Sequence, residues 1–199
     1  MLPVRPFADA QLPKRFDIKS GQFRFRTAQA SDASDDIAAW MAIPSIVDGL
    51  NMSGQQMNAN QLRGWIGGFD NIRRNLVLIL TAGENVPAGF LMFDVEPRHR
   101  IGSFHLMIAH GEHRIDGGGL AGGRIALEHL FEARGVGKVS MEPLSRNRTV
   151  IQSCEWLGFR LEGLLKSHRL DIRTGERLDQ HIFGMTKEEY HVWPWRIAR

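Results

Sequence analysis

Three consecutive glycines sit between a strand-like run and a helix-like one, in Arg114-Ile115-Asp116-Gly117-Gly118-Gly119-Leu120-Ala121. The apolar run Phe104 to Ala109 reads as the strand, and Leu120 to Ala133 as the helix. A strand that feeds a helix through glycine limits the chain to folds in which sheet and helix pack as layers. The junction also leaves a row of backbone N–H groups with no side chains to shield them, and the helix N-terminus adds partial positive charge. This is a cradle for an anion, best suited to a phosphate or pyrophosphate. Arg114 supplies a fork-shaped cationic contact to the same group.

The 199 residues suit one compact domain with a short leading arm, divided here as an arm over 1–22 and a domain over 23–199. The formal net charge is only +3, and no dense Lys/Arg block with interleaved aromatics appears, so nucleic acid is not the expected partner. Cys154 is the only cysteine, which excludes an intrachain disulfide and a cysteine metal cage. No helical histidine pair stands at metal-ligand spacing, so no metal is expected. Met1 to Lys14 lacks an apolar signal core, and no window approaches membrane-span length. A cytoplasmic protein with no membrane partner is the expectation.

Along the chain, Phe23 and Phe25 alternate with arginines as a first strand. Ser31 or Asp32 is placed to cap a helix with the stripe Ile37, Trp40 and Met41, which stops near Pro44. Leu62, Trp65, Ile66 and Phe69 form a second helical stripe. Leu76 to Leu80, Ala88 to Val95 and the run ending at Ala109 read as three antiparallel strands joined by turns at 82–85 and 97–100. After the glycine-led helix come a short strand at Val139 to Met141 and a helix capped by Ser145 or Asn147. That helix presents Val150, Ile151, Cys154 and Leu157 on its apolar face. A closing hairpin runs through Phe159 to Leu170 and Leu178 to Met185. The order fits an α/β layer arrangement with a mixed sheet.

Gly117, Gly119 and Gly122 satisfy a dinucleotide fingerprint, with Glu142 at a ribose-binding distance in sequence. Too few strand-helix units follow for that fold. Arg114-x-x-Gly117-x-Gly119 instead resembles the coenzyme A pyrophosphate loop of the GCN5-related N-acetyltransferase (GNAT) superfamily. Asn147 through Ile151 to Leu157-Gly158-Phe159, then Glu162-Gly163, is similar to that family's Asn-x-x-(Ala/Ser)-Ile helix and "LGF-x-x-EG" strand. Arg24-Phe25-Arg26 with Asp32 and Trp40, and the ending Asp179 to Phe183 and Met185 to Tyr190, resemble the RimJ/RimL-like branch that acetylates ribosomal-protein N-termini.

The resemblance implies an α/β (α+β) fold with a mixed, mostly antiparallel, splayed sheet flanked by helices, and acetyl-CoA wedged between two strands. Backbone groups around Met107, Ile108 and Ala109 would align the pantetheine and polarise the thioester. The amides of Ile115, Asp116, Gly117, Gly118, Gly119, Leu120 and Ala121 would hold the pyrophosphate beside Arg114, and Asn147 would bind the pantetheine. The implied activity is acetyl transfer to a primary amine, on a protein N-terminus or a small molecule, by direct attack in a ternary complex. A non-catalytic coenzyme A-binding module is the alternative.

Many family members carry a tyrosine acid where this chain has Cys154. The thiol is read either as that acid or as a small buried packing group. A family glutamate base on the strand before the loop is replaced by Ser103 and His105. Imidazole exchanges protons near neutral pH, so His105 is the candidate base, with a hydrogen-bonded sheet histidine as the alternative. Asp94 and Glu96 are in reserve. Met41, Met52, Met57 and Trp65 are candidates to line an acceptor pocket, while Trp40 is expected in the core. The apolar tail Trp193-Pro194-Trp195 is read as an active-site cover, a homodimer contact or simple packing.

Overall fold

The computed structural model describes residues 16–54, 56–115 and 117–194. Eight strands form one sheet: β1 (Asp17–Ser20), β2 (Phe23–Thr27), β3 (Arg74–Thr81), β4 (Pro87–Glu96), β5 (Ile101–Ile108), β6 (Lys138–Met141), β7 (Arg160–Leu170) and β8 (Arg177–Thr186). Their spatial order is β1-β2-β3-β4-β5-β6-β8-β7, and every pairing is antiparallel except β5 with β6. Helices α1 (Asp35–Ala39), α2 (Pro44–Leu50) and α3 (Ala59–Gly67) precede β3. Helices α4 (Gly111–Ile115) and α5 (Gly118–Glu128) follow β5, α6 (Arg148–Leu157) follows β6, and α7 (Lys187–Val192) closes the described chain.

Helices cover both faces, so the central strands bury both sets of alternating side chains and read in sequence as unbroken apolar runs. On one face Phe25, Ile79, Leu91, Phe93 and Phe104 pack with Leu127, Leu130, Phe131 and Leu157 of the α5 and α6 region. On the other, Leu76, Leu78, Phe90 and Met107 pack with Ile37, Trp40, Ile46, Leu62 and Ile66 of the α1–α3 layer.

Several local expectations change. Residues 17–20, placed in the arm, form β1, turned onto β2 at Gly21, whose φ of +57° suits glycine. Residues 1–15 lie outside the described residues. The helix cap is Ser34, whose hydroxyl accepts from the Ile37 amide, rather than Ser31 or Asp32. Asp32 is taken by Arg26, at 2.6 and 2.8 Å, and by the Gln29 amide. Burial alone would raise the Asp32 carboxyl, but those contacts hold it below the usual carboxylate range. Pro44 ends one helical stretch and begins another, as the first residue of α2. Asn147, not Ser145, caps α6 by accepting from the Val150 amide at 3.4 Å.

After α5 the chain continues as a π-helical turn over His129–Ala133. The His129 ring packs edge-on to Phe16 at 5.1 Å and against Phe93 at 4.9 Å. Burial, with the nearby Arg134 charge, lowers its pKa from 6.5 to about 4. The folded state therefore holds this ring neutral while the unfolded chain protonates it. Stability from His129 is present above about pH 6.5 and is lost as pH falls toward 4, by roughly 3 kcal/mol at the acid end. Urea unfolding at pH 7.5, 6 and 5 should show this slope in the wild type, and His129→Phe should flatten it.

Candidate active site

β5 and β6 pair in parallel at only two rungs, Ile101 with Lys138 and Gly102 with Val139. Beyond Gly102, β5 stays paired to β4 as far as Ile108, while β6 follows β8. The sheet therefore splits between β5 and β6. Among the described residues, no strand pairs with β5 along that split.

Hydrogen bonding decides which peptide groups face the split. The Ala109 amide donates to the Ala88 carbonyl at 2.9 Å, and the Gly137 amide donates to Arg100 on the β6 side at 2.8 Å. Peptide direction alternates along a strand. Ser103, His105, Met107 and Ala109 thus direct their backbone groups at β4. Phe104, Leu106 and Ile108 direct theirs into the split. Of the backbone groups expected to meet the cofactor, those of Met107 and Ala109 are committed to the sheet. Ile108 keeps the expected direction, and Leu106 joins it.

The glycine loop takes a compact form. α4 occupies 111–115, Gly117 has φ +85°, and α5 starts at Gly118 with no side chain capping it. The first-turn amides of Gly118, Gly119 and Leu120 thus face outward, as an anion cradle requires. A Cβ on Gly118 would stand 2.6 Å from the His113 carbonyl oxygen, so α4 and α5 meet without room for a side chain there. A Cβ on Gly119 would meet nothing within 4 Å. Asp116 lies outside the described residues.

The two candidate proton-transfer residues fall in different surroundings. His105 lies on the α1–α3 face of β5 and is exposed, with Nε2 4.0 Å from Asp94 Oδ2. Asp94 is paired with Ser103, two rungs from the Met92–His105 pair, so it reaches His105 diagonally across β4 and β5. Arg74 holds the other carboxylate oxygen of Asp94 at 3.2 Å. Cys154 is 2% exposed and packs within the core shared with α5. Burial, helped by Glu155, pushes its thiol up to about 12. Protonating an ordinary thiolate from such a group runs uphill by about 3 pKa units, or roughly 4 kcal/mol.

Of the residues considered for an acceptor pocket or the core beside it, Trp40 and Met41 are core residues, while Met52, Met57 and Trp65 pack at its margin. Beyond α2 lies a polar clasp that local sequence could not show. Arg146 donates to the Asp48 carbonyl, to Asn51 and to Asp171, and Arg173 pairs with Asp48. The Asn51 amide donates to the Leu170 carbonyl at 2.9 Å. Together these tie α2 to the loop after β6 and to the β7–β8 turn. The Asp171 carboxyl is held below its usual range by the Arg173 amide first and by Arg146 after it. Asn147 belongs to the same region, donating to the Gly49 carbonyl at 3.3 Å while its oxygen caps α6. A separate hollow of about 360 Å³, lined by Arg24, Arg26 and Asp32, lies on the β2 side, where both arginines already have carboxylate partners.

Among the described residues, no group of three or more His, Cys, Asp or Glu side chains is arranged to hold a metal. No described helix is long and apolar enough to cross a membrane. Trp193 and Pro194 follow α7, and Trp195 lies outside the described residues.

A family model described as an acetyltransferase (GNAT) domain matches residues 32–166. No curated protein matches the sequence significantly. Among solved structures, spermidine N-acetyltransferase from Vibrio cholerae in complex with CoA and spermine superposes with a TM-score of 0.75. It is 16% identical, over 86% of this chain and 99% of that one. A GCN5-related N-acetyltransferase from Brucella melitensis gives 0.74 at 14% identity, over 91% and 83% of the two chains. The ribosomal-protein-S5-alanine acetyltransferase from Vibrio fischeri gives 0.70 at 11% identity, over 88% and 98%. The chain shares their mixed, mostly antiparallel open sheet.

Proposed function

The chain belongs to the GNAT acetyltransferase family, and we propose that it moves an acetyl group from acetyl-CoA to a primary amine by direct attack in a ternary complex. The observation that carries this reading is the split between β5 and β6 lying next to the uncapped start of α5. A strand edge opened by the split suits an amide-bearing arm, and an uncapped helix start suits a pyrophosphate, so the residues present fit coenzyme A. When bound, acetyl-CoA would supply the thioester carbonyl that the amine attacks.

The amides of Gly118, Gly119 and Leu120 would hold the pyrophosphate, with Arg114 beside them. Peptide groups of Leu106 and Ile108 would align the arm, and a β5 amide facing the split would stabilise charge developing on the carbonyl oxygen. Asn147 retains a second amide hydrogen for the same arm. His105 would take the proton from the incoming amine, with the Asp94 carboxylate 4.0 Å from its Nε2 as a nearby counter-charge. Cys154 would serve as packing.

The acceptor is the amine of a small molecule or of a protein N-terminus. The spermidine acetyltransferase supports the first option, and the S5-alanine acetyltransferase, together with the RimJ/RimL-like motifs, supports the second. A homodimer through the apolar C-terminal tail is part of the same proposal.

The test is calorimetric titration with acetyl-CoA, with NADH as control, followed by thioester turnover against a panel of amines. Micromolar binding of acetyl-CoA alone, with turnover, is expected. Cys154→Ala should keep kcat within about threefold, while His105→Ala should lower it about 100-fold. Binding of NADH alone would overturn the reading. Binding of acetyl-CoA with no amine turned over would leave the chain a coenzyme A-binding module.

A further inference from the structure

We propose that two copies of this chain pair through the first half of β7, joining their sheets edge to edge about a twofold axis. The inference is independent of the acetyl-transfer reading. β1 and β7 are the outer strands of the sheet. β1 has four residues, two of them charged, and so short and charged an edge resists pairing with another chain. β7 has eleven, and all but Gly163 are exposed. Leu161, Leu164 and Leu165 are 58%, 44% and 38% exposed, within a stretch, Arg160–Leu165, that contains no lysine and no proline.

The charges that ordinarily blunt an edge are turned away from this one. Arg160 is bound to Glu189 of α7 at 2.7 Å, and Glu162 to Lys138 of β6 at 2.7 Å. The Glu162 carboxylate lies against Gly184 of β8, so this side chain folds back over its own sheet. Leucine and glycine are left outermost. Leu161 is opposite Phe183 and Leu164 opposite His181, and the Phe183 and His181 rings stack with centroids 6.0 Å apart. The register shift between Leu161 and Gly163 supplies the extra residue that lets Leu161 and Leu164, three apart, share one face. Farther on the register shifts again between Leu165 and Arg169, where Ser167 has φ +50°. That irregularity, with Lys166 beside it, confines pairing to Arg160–Leu165.

A second copy fits this segment because the segment is complementary to itself. With the twofold axis between Glu162 and Gly163, Leu161 of one protomer stands opposite Leu164 of its partner, and the reverse. Glu162 then faces Gly163 and Arg160 faces Leu165, so no like charges stand opposite. Four leucines close into one apolar cluster, continued by Phe183 and His181 on the same face. The contact is isologous and uses up both β7 edges. Only β1 remains at either end, so assembly stops at two. A seam this small suits association in the micromolar range. β6, β8 and β7 separate each split from the seam, and both splits stay open.

Sedimentation velocity on the full-length protein, from about 1 to 200 μM, tests the proposal. A monomer–dimer equilibrium with no larger species is expected. Leu161→Lys/Leu164→Lys should weaken association about 30-fold or more, and should leave the melting temperature within about 2 °C because both sites are exposed. Val86→Lys, at an exposed apolar position on the β3–β4 turn, should change neither. Leu161→Cys/Leu164→Cys should give a disulfide-linked dimer on mild oxidation, since the introduced thiols stand opposite each other only across the seam and Cys154 is buried. Three results would each overturn the proposal. These are a wild type that stays monomeric at the highest concentration, a dimer that survives the lysine pair, as one formed by the C-terminal tail would, and a dimer that the introduced thiols fail to link.

Discussion

Gly119→Asp is expected to abolish useful acetyl-CoA binding while leaving the fold intact or slightly firmer. Gly119 is the second residue of α5, its backbone lies outside the left-handed region, and a Cβ there meets nothing within 4 Å. An aspartate fits this position without strain. It also suits the helix, because a carboxylate in the first turn favours the macrodipole by about 0.3–1 kcal/mol, and replacing glycine removes an entropic cost of similar size. The same carboxylate occupies the cradle and repels a pyrophosphate. We expect the Kd for acetyl-CoA to rise by about 100-fold or more, while the melting temperature holds or climbs. Gly119→Ala, which adds bulk without charge, should shift Kd only a few-fold. Calorimetry and thermal melting on the two variants read both halves of the prediction. Wild-type affinity in Gly119→Asp would place the pyrophosphate elsewhere.

This separation of binding from stability also shows which parts of the site were legible in sequence. The cradle is local: glycines, a strand end and a helix start within a few residues determine it. β3, β4 and β5 were legible for a similar reason, since helices on both faces make their apolar runs continuous. β1 was not, because an exposed edge strand such as Asp17-Ile18-Lys19-Ser20 has no buried side to mark it. Pro44 carries two meanings, helix stop and favoured first residue, and only the packing of Ile46 and Val47 shows the second.

The lips of the split depend on register. Whether Met107 or Leu106 offers its peptide to the gap follows from how β5 aligns with β4, which no periodicity reveals. The clasp is longer-range still, since Arg146 and Arg173 find partners 98 and 125 residues away. Cys154 sat on an apolar stripe that fitted both a packed thiol and a poised one, and its burial tips the balance toward packing.

The other large effect is expected at Gly89, where the same register can be tested directly. Gly89 lies opposite Ile108, and a Cβ built on it would stand 2.0 Å from the Met107 carbonyl oxygen and 3.1 Å from the Ile108 Cα. Those neighbours are backbone, which cannot swing aside as a side chain can. Gly89→Ala must therefore push β4 and β5 apart at the end of β5 that borders the split. A loss of about 3 kcal/mol or more is expected, with the melting temperature falling by roughly 10 °C. Gly64→Ala, on α3 with open space around its Cβ, is the control and should be neutral or mildly stabilising. Because Ile108, one of the two displaced residues, directs its peptide into the split, the folded fraction of Gly89→Ala should also lose kcat/KM. If Gly89→Ala instead melts and turns over like the wild type, the strands are not this close. The alternation that directs Leu106 and Ile108 into the split, and His105 to the α1–α3 face, would then fail with it.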